Sequence, residues 1–242
     1  MPRQTLRMVH TSDTHLGDDL SHPKSNDALR KVVTETILLD ANFLLLAGDV
    51  FDHARVSDNA ILFFLDQISR LDVPIILLPG NHDLMHHKSI YKREIFQNSP
   101  DNLFIFGEKV GQTITFKEQG IKFWGKAMVE HSPHFHPLSP TPEPVENDWF
   151  VGMGHGHFEK SDVNSGRSSI ILPKDISESP FDYIALGHWD LYTDVSQGNI
   201  PAVYSGCPMV SGIKKRDWVS QLSGFRLKKG CRAQAMVLGI LT

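Results

Sequence analysis

Five short polar stretches carry the chemistry open to this chain: Asp13-Thr14-His15, Gly48-Asp49-Val50-Phe51-Asp52, Gly80-Asn81-His82-Asp83, Gly154-His155-Gly156-His157 and Gly187-His188-Trp189-Asp190. They supply carboxylate, carboxamide and imidazole groups and no thiolate. Carboxylates gathered in one place repel each other and resist ionisation unless positive charge sits among them. A pair of divalent cations resolves that conflict. Oxygen and imidazole donors without sulfur favour Mn, Fe, Zn or similar metals. A carboxylate shared by two ions about 4 Å apart is a standard element of two-metal hydrolysis. Asp49 is the bridging candidate, because Gly48 lets the backbone turn closely around the ions.

Each stretch follows an apolar run. The runs are LRMVH at 6–10, NFLLLA at 42–47, VPIILL at 73–78, WFVGMG at 149–154 and DYIALG at 182–187. Runs without polar alternation fit strands covered on both faces. In open α/β sheets, ligands bind just beyond the carboxyl ends of the strands. Taken singly, each stretch has a plainer reading; GNHD after Pro79, for instance, is ordinary turn chemistry. Five of them in order, each at a strand exit, point to one metal-binding crevice.

Between these strands lie two helical patterns. Residues 26–40 place Ala28, Leu29, Val32, Val33, Thr36 and Ile37 at helical spacing, with Asn26 as the N-cap. Ser57 opens a second helix with Ile61, Phe64, Leu65 and Ile68 on one face. The first ninety residues therefore read β-α-β-α-β, an α/β layered fold on a parallel sheet. Segments 103–106, 112–117 and 120–124 are short, with turn signals at Gly107, Gly111 and Gly120, and read as an antiparallel meander. Residues 131–148 are rich in proline and read as an irregular loop. Strands return at 200–204 and 234–240. The expectation is one domain, 1–242, with two packed sheets.

The chain has 242 residues, 40% hydrophobic, enough for a sizeable core. Its net charge of −4 and pI near 6.3 exclude a uniformly basic surface for coating nucleic acid. A local basic cluster remains near the C-terminus: Lys214, Lys215, Arg216, Arg226, Lys228, Lys229 and Arg232. The two cysteines, Cys207 and Cys231, form no CxxC pattern, so neither a disulfide scaffold nor a thiolate zinc site is indicated. The start has no signal-peptide pattern and no apolar run is long enough to span a bilayer. These features lead us to expect a cytoplasmic protein with no membrane partner.

The order DxH, GDxxD, GNHD, a lone His and GHxH resembles the calcineurin-like metallophosphoesterase superfamily. Within it, the stretch from Gly48 to Asp83, together with TSDTHLG, DYIALGH and YSGCP, is similar to the SbcD-type nuclease branch. The similarity covers most of residues 6–210. It implies a four-layer α/β/β/α sandwich with a dinuclear centre. By position, one metal would be held by Asp13, His15, Asp49 and Asp190, and the other by Asp49, Asn81, His155 and His188. His82 would face the scissile phosphate as transition-state stabiliser or proton donor, with Asp83 supporting it. Asp52 would bond the loop or a ligand imidazole. The implied reaction is in-line attack by a metal-bound hydroxide on phosphorus.

Two departures stand out. The last motif ends in Asp190 rather than His; as a ligand, Asp would add negative charge and favour a harder ion such as Mn over Zn. The chain also ends at Thr242, soon after YSGCP, whereas SbcD-like nucleases extend into a capping domain and a segment that binds an ATPase. The expectation therefore stops at phosphoester chemistry and does not extend to an ATPase partner. His155 is preferred over His157 as the lone His, since it ends the strand and precedes Gly156. His131, His134 and His136, in the proline-rich loop, are expected to face solvent or substrate. Three functions stay open at this point: a phosphodiesterase acting on DNA or a nucleotide, a phosphomonoesterase or small-molecule phosphodiesterase, and a non-catalytic scaffold.

Overall fold

A computed structural model describes residues 3–18, 20–160 and 166–209, and the backbone of 218–222 and 235–237. The C-terminal basic cluster and Cys231 lie outside the described residues. Two six-stranded sheets form the frame. In the first, β1 (Leu6–Thr11), β2 (Phe43–Ala47), β3 (Ile75–Leu78) and β4 (Leu103–Ile105) run parallel in that order. Two antiparallel strands, Trp218–Leu222 and Ala235–Val237, extend the sheet beyond β1. The second sheet is built on β5 (Gln112–Phe116), β6 (Ile121–Gly125) and β7 (Trp149–His155). The short pair β8 (His157–Phe158) and β9 (Ile170–Ile171) lies apart, and β10 (Tyr183–Gly187), β11 (Thr193–Asp194) and β12 (Ala202–Tyr204) complete that sheet in the order β11-β12-β10-β7-β6-β5.

The core sits between the sheets. Successive side chains on a strand point to opposite faces, so Trp149, Val151 and Met153 of β7 and Tyr183 and Ala185 of β10 enter the inter-sheet core. Phe150, Ile184 and Leu186 point the other way, into a second cluster. Phenylalanines knit the two sheets: Phe43 of β2 lies 5.0 Å from Phe123 and 5.2 Å from Phe116, and Phe104 lies 5.0 Å from Phe116. Each fully buried Phe contributes roughly 1.5–3 kcal/mol. Helices α1 (Ser25–Leu38) and α2 (Asp58–Ile68) add their apolar stripes to the same core. The second cluster is roofed more thinly, by Leu138 of the proline-rich loop, Phe158 and Ile171 of β8 and β9, and Ile176 of a short helix, α3 (Pro173–Ser177).

Three expectations need correction. Asn26 does not cap α1, which begins at Ser25 after Lys24 with no side-chain cap. Ile37 is 50% exposed, because the buried stripe runs through Ala28, Leu29, Val32, Val33 and Thr36 and ends short of it. The meander is divided: β4 joins the first sheet, parallel to β3, and only β5 and β6 pair antiparallel, in the second. Short strands carry no periodicity that says which sheet they join. Ser57 does cap α2, its side chain accepting from the Ala60 amide. No helix among the described residues is long and apolar enough to cross a membrane.

Strand ends are level. Thr11 pairs with Leu46 and Leu46 with Leu77 in the first sheet, and His155 pairs with Gly187 in the second. Just before these exits, fully buried His10 bonds Tyr183 of the opposite sheet, with Nδ1 3.1 Å from the hydroxyl. Burial pushes the His10 imidazole down to about 3. The unfolded chain therefore takes up a proton near its ordinary value while the folded chain does not, and stability falls as pH drops from about 6.5 towards 3. At pH 5 the His10 share of that loss is about 2 kcal/mol. Urea denaturation at pH 7 and pH 5 should show wild type losing that much more than His10→Gln.

Candidate metal centre

The exits of β1 and β2 are zipped together by backbone. The Asp13 amide donates to the Gly48 carbonyl at 3.0 Å, the His15 amide to the Asp49 carbonyl at 3.1 Å and the Leu16 amide to the Val50 carbonyl at 2.8 Å. This pairing holds residues in the left-handed region that non-glycine residues avoid: Asp13 at φ 56°, His15 at 45° and Asp49 at 52°. His188 stands at φ 107°. Each costs of order 1–3 kcal/mol and persists only where surroundings over-determine it. The turns aim four chemically active side chains inward. Gly48 is required twice over, by its φ of 93° and because a Cβ there would lie 2.1 Å from the His155 ring. At Gly187 a Cβ would lie 1.9 Å from the Ala47 carbonyl of the first sheet.

The side chains converge. His155 Nε2 lies 3.2 Å from Asp49 Oδ2 and 3.0 Å from Asn81 Oδ1. His188 Nδ1 lies 2.9 Å from the same Asn81 oxygen, and the His188 amide donates to Asp13 Oδ2 at 2.9 Å. His155 Nδ1 donates to the Ala47 carbonyl at 2.8 Å, which fixes Nε2 as the inward atom. Of four groups of donor atoms among the described residues, two gather around Asp52, with His15 and His82 and with Asp18 and His22; the other two are Asp13 with His15 and Asp49, and Asp49 with His155 and His188, each set lying within 4.8 Å. Asp49 belongs to both.

Asp13, Asp49 and His155 are almost wholly buried. Burial and the neighbouring Asp49 push the Asp13 carboxyl up to about 7. Burial also acts to raise Asp49, but His155 beside it outweighs that and holds it below the usual carboxylate range. Burial acts to lower His155, yet Asp49 and Asp13 together bring it up to about 10. His188 is pushed down to about 4 by burial and then by the charge on His155. The buried carboxylates thus favour the charged form of His155 beside them.

His82 projects further out, its side chain 42% exposed. Its amide donates to Asp49 Oδ1 at 2.8 Å and its Nδ1 lies 2.7 Å from the Asp52 carbonyl oxygen. A carbonyl only accepts, so Nδ1 carries hydrogen and Nε2 is the ring atom open to a substrate. Asp52 stands behind the histidines, Oδ1 3.2 Å from His15 Nδ1 and 3.5 Å from His82 Nδ1. His22, which carried no sequence signal, stacks on His15 at 4.6 Å.

Asp83 does not touch the His82 ring. Its buried carboxylate accepts from the amides of Gly80 at 2.6 Å, Val50 at 2.8 Å, and Asp49 and Phe51 at 3.3 Å, and from the Tyr91 hydroxyl. It fastens the loop that carries Asp49 to the loop that carries Asn81 and His82. Asp190 joins neither donor group. The chain leaves His188 at its left-handed turn, the Asp190 carbonyl accepts from the Cys207 amide at 2.9 Å, and the side chain is exposed. His157 is also outside both groups, its ring centroid 6.2 Å from that of His188. In the proline-rich loop, His131 brings its ring to 6.2 Å from His188, while His136 meets Lys126 through its carbonyl at 2.8 Å; His134 is exposed.

Two sheets with a cluster of acids and imidazoles at their facing strand ends define a metallophosphoesterase. The chain belongs to the calcineurin-like phosphoesterase family, which it matches over residues 6–190. It is 26% identical over 234 residues to the uncharacterized metallophosphoesterase YhaO of Bacillus subtilis, covering 87% of this chain and 55% of that one. It is 32% identical over 196 residues to the DNA double-strand break repair protein Mre11 of Haloferax volcanii, covering 75% and 40%. To a component of the nuclease SbcCD of Staphylococcus epidermidis it is 23% identical over 255 residues, covering 92% and 65%. The chain thus spans about half the length of such relatives. TT1561 of Thermus thermophilus shares the fold at a TM-score of 0.55 and 12% identity, covering 84% of this chain and 90% of that one. A dimetal phosphatase from Danio rerio does so at 0.53 and 11%, covering 84% and 87%. Members of the family use divalent metals.

Removing Asp83 strands four amides and a hydroxyl in a buried loop. Asp83→Ala should lower unfolding free energy by about 3 kcal/mol or more, read by urea denaturation. Asp190→Ala, at an exposed position, should change it by less than about 0.5 kcal/mol.

Proposed function

We propose that the protein is a dinuclear metal-dependent phosphodiesterase with nuclease-like substrates. The observation that carries this reading is the membership of Asp49 in two adjoining donor groups. The residues fit a pair of divalent cations: the donors are oxygen and nitrogen only, two carboxylates are buried together, and imidazoles from two strands aim at one Asn81 oxygen. Asp13, His15 and Asp49 would hold one ion, and Asp49, Asn81, His155 and His188 the other. Oxygen and imidazole donors without sulfur fit Mn, Fe, Zn or a similar divalent ion. When bound, such a pair supplies Lewis-acid charge and a water of lowered pKa.

The chain's own groups do the rest. Asp52 orients the rings of His15 and His82. His82, tethered through Nδ1, presents Nε2 to the leaving oxygen and holds or delivers a proton there. Asp83 keeps the Asp49 and Asn81 loops in register, so that the donors are set before substrate arrives. Diester chemistry is favoured over monoester chemistry because two relatives to which the chain is similar, Mre11 and the SbcCD component, are named as a DNA repair protein and a nuclease.

The test is metal-stripped protein reloaded with Mn and assayed on bis-p-nitrophenyl phosphate, p-nitrophenyl phosphate and linear single-stranded DNA. The diesters should be cleaved and the monoester should not; monoester turnover alone would overturn the reading. His82→Ala should lower kcat by about 100-fold or more with metal retained. Asp49→Ala should lose both ions by elemental analysis, whereas Asp190→Ala should keep them.

A further inference from the structure

The stretch Tyr204-Ser205-Gly206-Cys207 ends β12 and runs past it. It has no part in the proposed chemistry, yet it touches both turns that bring an imidazole to the centre from the second sheet. Tyr204 is fully buried, and its hydroxyl donates to the Gly156 carbonyl at 2.7 Å. Gly156 directly follows His155, and its own amide donates to the Gly187 carbonyl at 3.2 Å. Ser205 Oγ lies 2.9 Å from the Oγ of Ser12, the residue before Asp13. Gly206 stands at φ 76°, and a Cβ there would lie 2.7 Å from the Tyr192 amide nitrogen and 2.9 Å from the Asp190 carbonyl oxygen. The Cys207 amide donates to that same Asp190 carbonyl at 2.9 Å.

His188 needs such support. At φ 107° its backbone lies where non-glycine residues rarely go, and such a conformation persists only where the surroundings over-determine it. One hold is the His188 amide, which donates to Asp13 Oδ2 at 2.9 Å. The next residue supplies another. Trp189 lies flat on Tyr204, 4.5 Å between centroids and 13° between planes. Its Nε1 donates to His157 Nδ1 at 3.0 Å, so the indole is fixed by its face and by its edge. Asp190, one residue on, is tied by its carbonyl to Cys207. Relaxation of the His188 backbone would have to pull the indole off Tyr204.

We propose that Trp189, seated on Tyr204, is a positioning residue of the centre: it holds the left-handed turn that sets His188 Nδ1 against Asn81. It acts through His188 and not on the substrate. This rests on the two-metal reading, in which His188 holds one of the ions, and adds the brace that keeps that ligand in place.

The full chain is compared as wild type, Trp189→Ala and Trp189→Phe, with thermal unfolding as a check on folding. In metal-stripped protein, residue-resolved amide exchange reads the turn itself. The His188 amide should exchange about fivefold to tenfold faster in Trp189→Ala, as the loss of a stacked aromatic pair implies. The His82 amide, bonded to Asp49 Oδ1, should stay within about twofold of wild type, because it belongs to a different turn. Trp189→Phe keeps a ring on Tyr204 and gives up the edge bond, and should recover most of the protection. In Mn titrations of Trp189→Ala, one of the two dissociation constants should rise about tenfold or more while the other stays within about twofold, as for loss of a group that orients a ligand. Equal acceleration of both amides would mark a general loosening and overturn the proposal. So would an unchanged His188 amide, or dissociation constants that are unchanged or equally raised. Wild-type Mn stoichiometry reports separately on the two-metal reading, and the amide exchange tests the brace without metal.

Discussion

Two carboxylates, Asp13 and Asp49, are buried at the point where two sheets present their strand ends to each other. Charge in such a place is costly unless compensated. Every nearby feature answers that cost. His155, from the opposite sheet, sets Nε2 3.2 Å from Asp49 Oδ2. The His188 amide bonds Asp13, and the His82 amide bonds Asp49. The left-handed turns at Asp13, His15, Asp49 and His188 trade backbone comfort for convergence. A centre in which two carboxylates are buried together among imidazoles is one that divalent cations would stabilise, and family membership fits that physics.

The fold exists to bring these groups to one level. Register aligns the ends of β1, β2 and β3 in one sheet and of β7 and β10 in the other. Close approach at Gly187 and Gly48 leaves no room for a Cβ at either position, because the Ala47 carbonyl and the His155 ring already fill that space. The phenylalanine contacts around Phe43 lock the sheets face to face beneath. The centre is thereby a property of the junction: His155 and His188 come from the second sheet, and Asp13, His15, Asp49 and Asn81 from the first.

Much of this was legible in the chain because the donors directly follow unbroken apolar runs, a pattern that marks both a buried strand and its exit. His155 was separable from His157 on the same ground, as the strand's last residue. What was not legible depends on partners distant in sequence. Nothing around Tyr91 signals that its hydroxyl meets Asp83, and nothing in GNHD says that its Asp serves four amides rather than a ring. Asp190 differs again: its motif position suggested a ligand, and its side chain is exposed and outside the donor groups, beyond the turn at His188 and with its carbonyl bonded to Cys207. The split of 103–124 between two sheets was likewise a matter of tertiary pairing, to which short strands are blind.

The roof over the second sheet is made of a five-residue helix, a two-stranded ribbon and a proline-rich loop, whereas the first sheet carries α1 and α2. Loops tolerate insertion and replacement far better than packed helices do. The molecule therefore has a conservative side and a permissive one. Lineages built on this frame are free to remodel the roof without disturbing the strands that carry the acids and imidazoles.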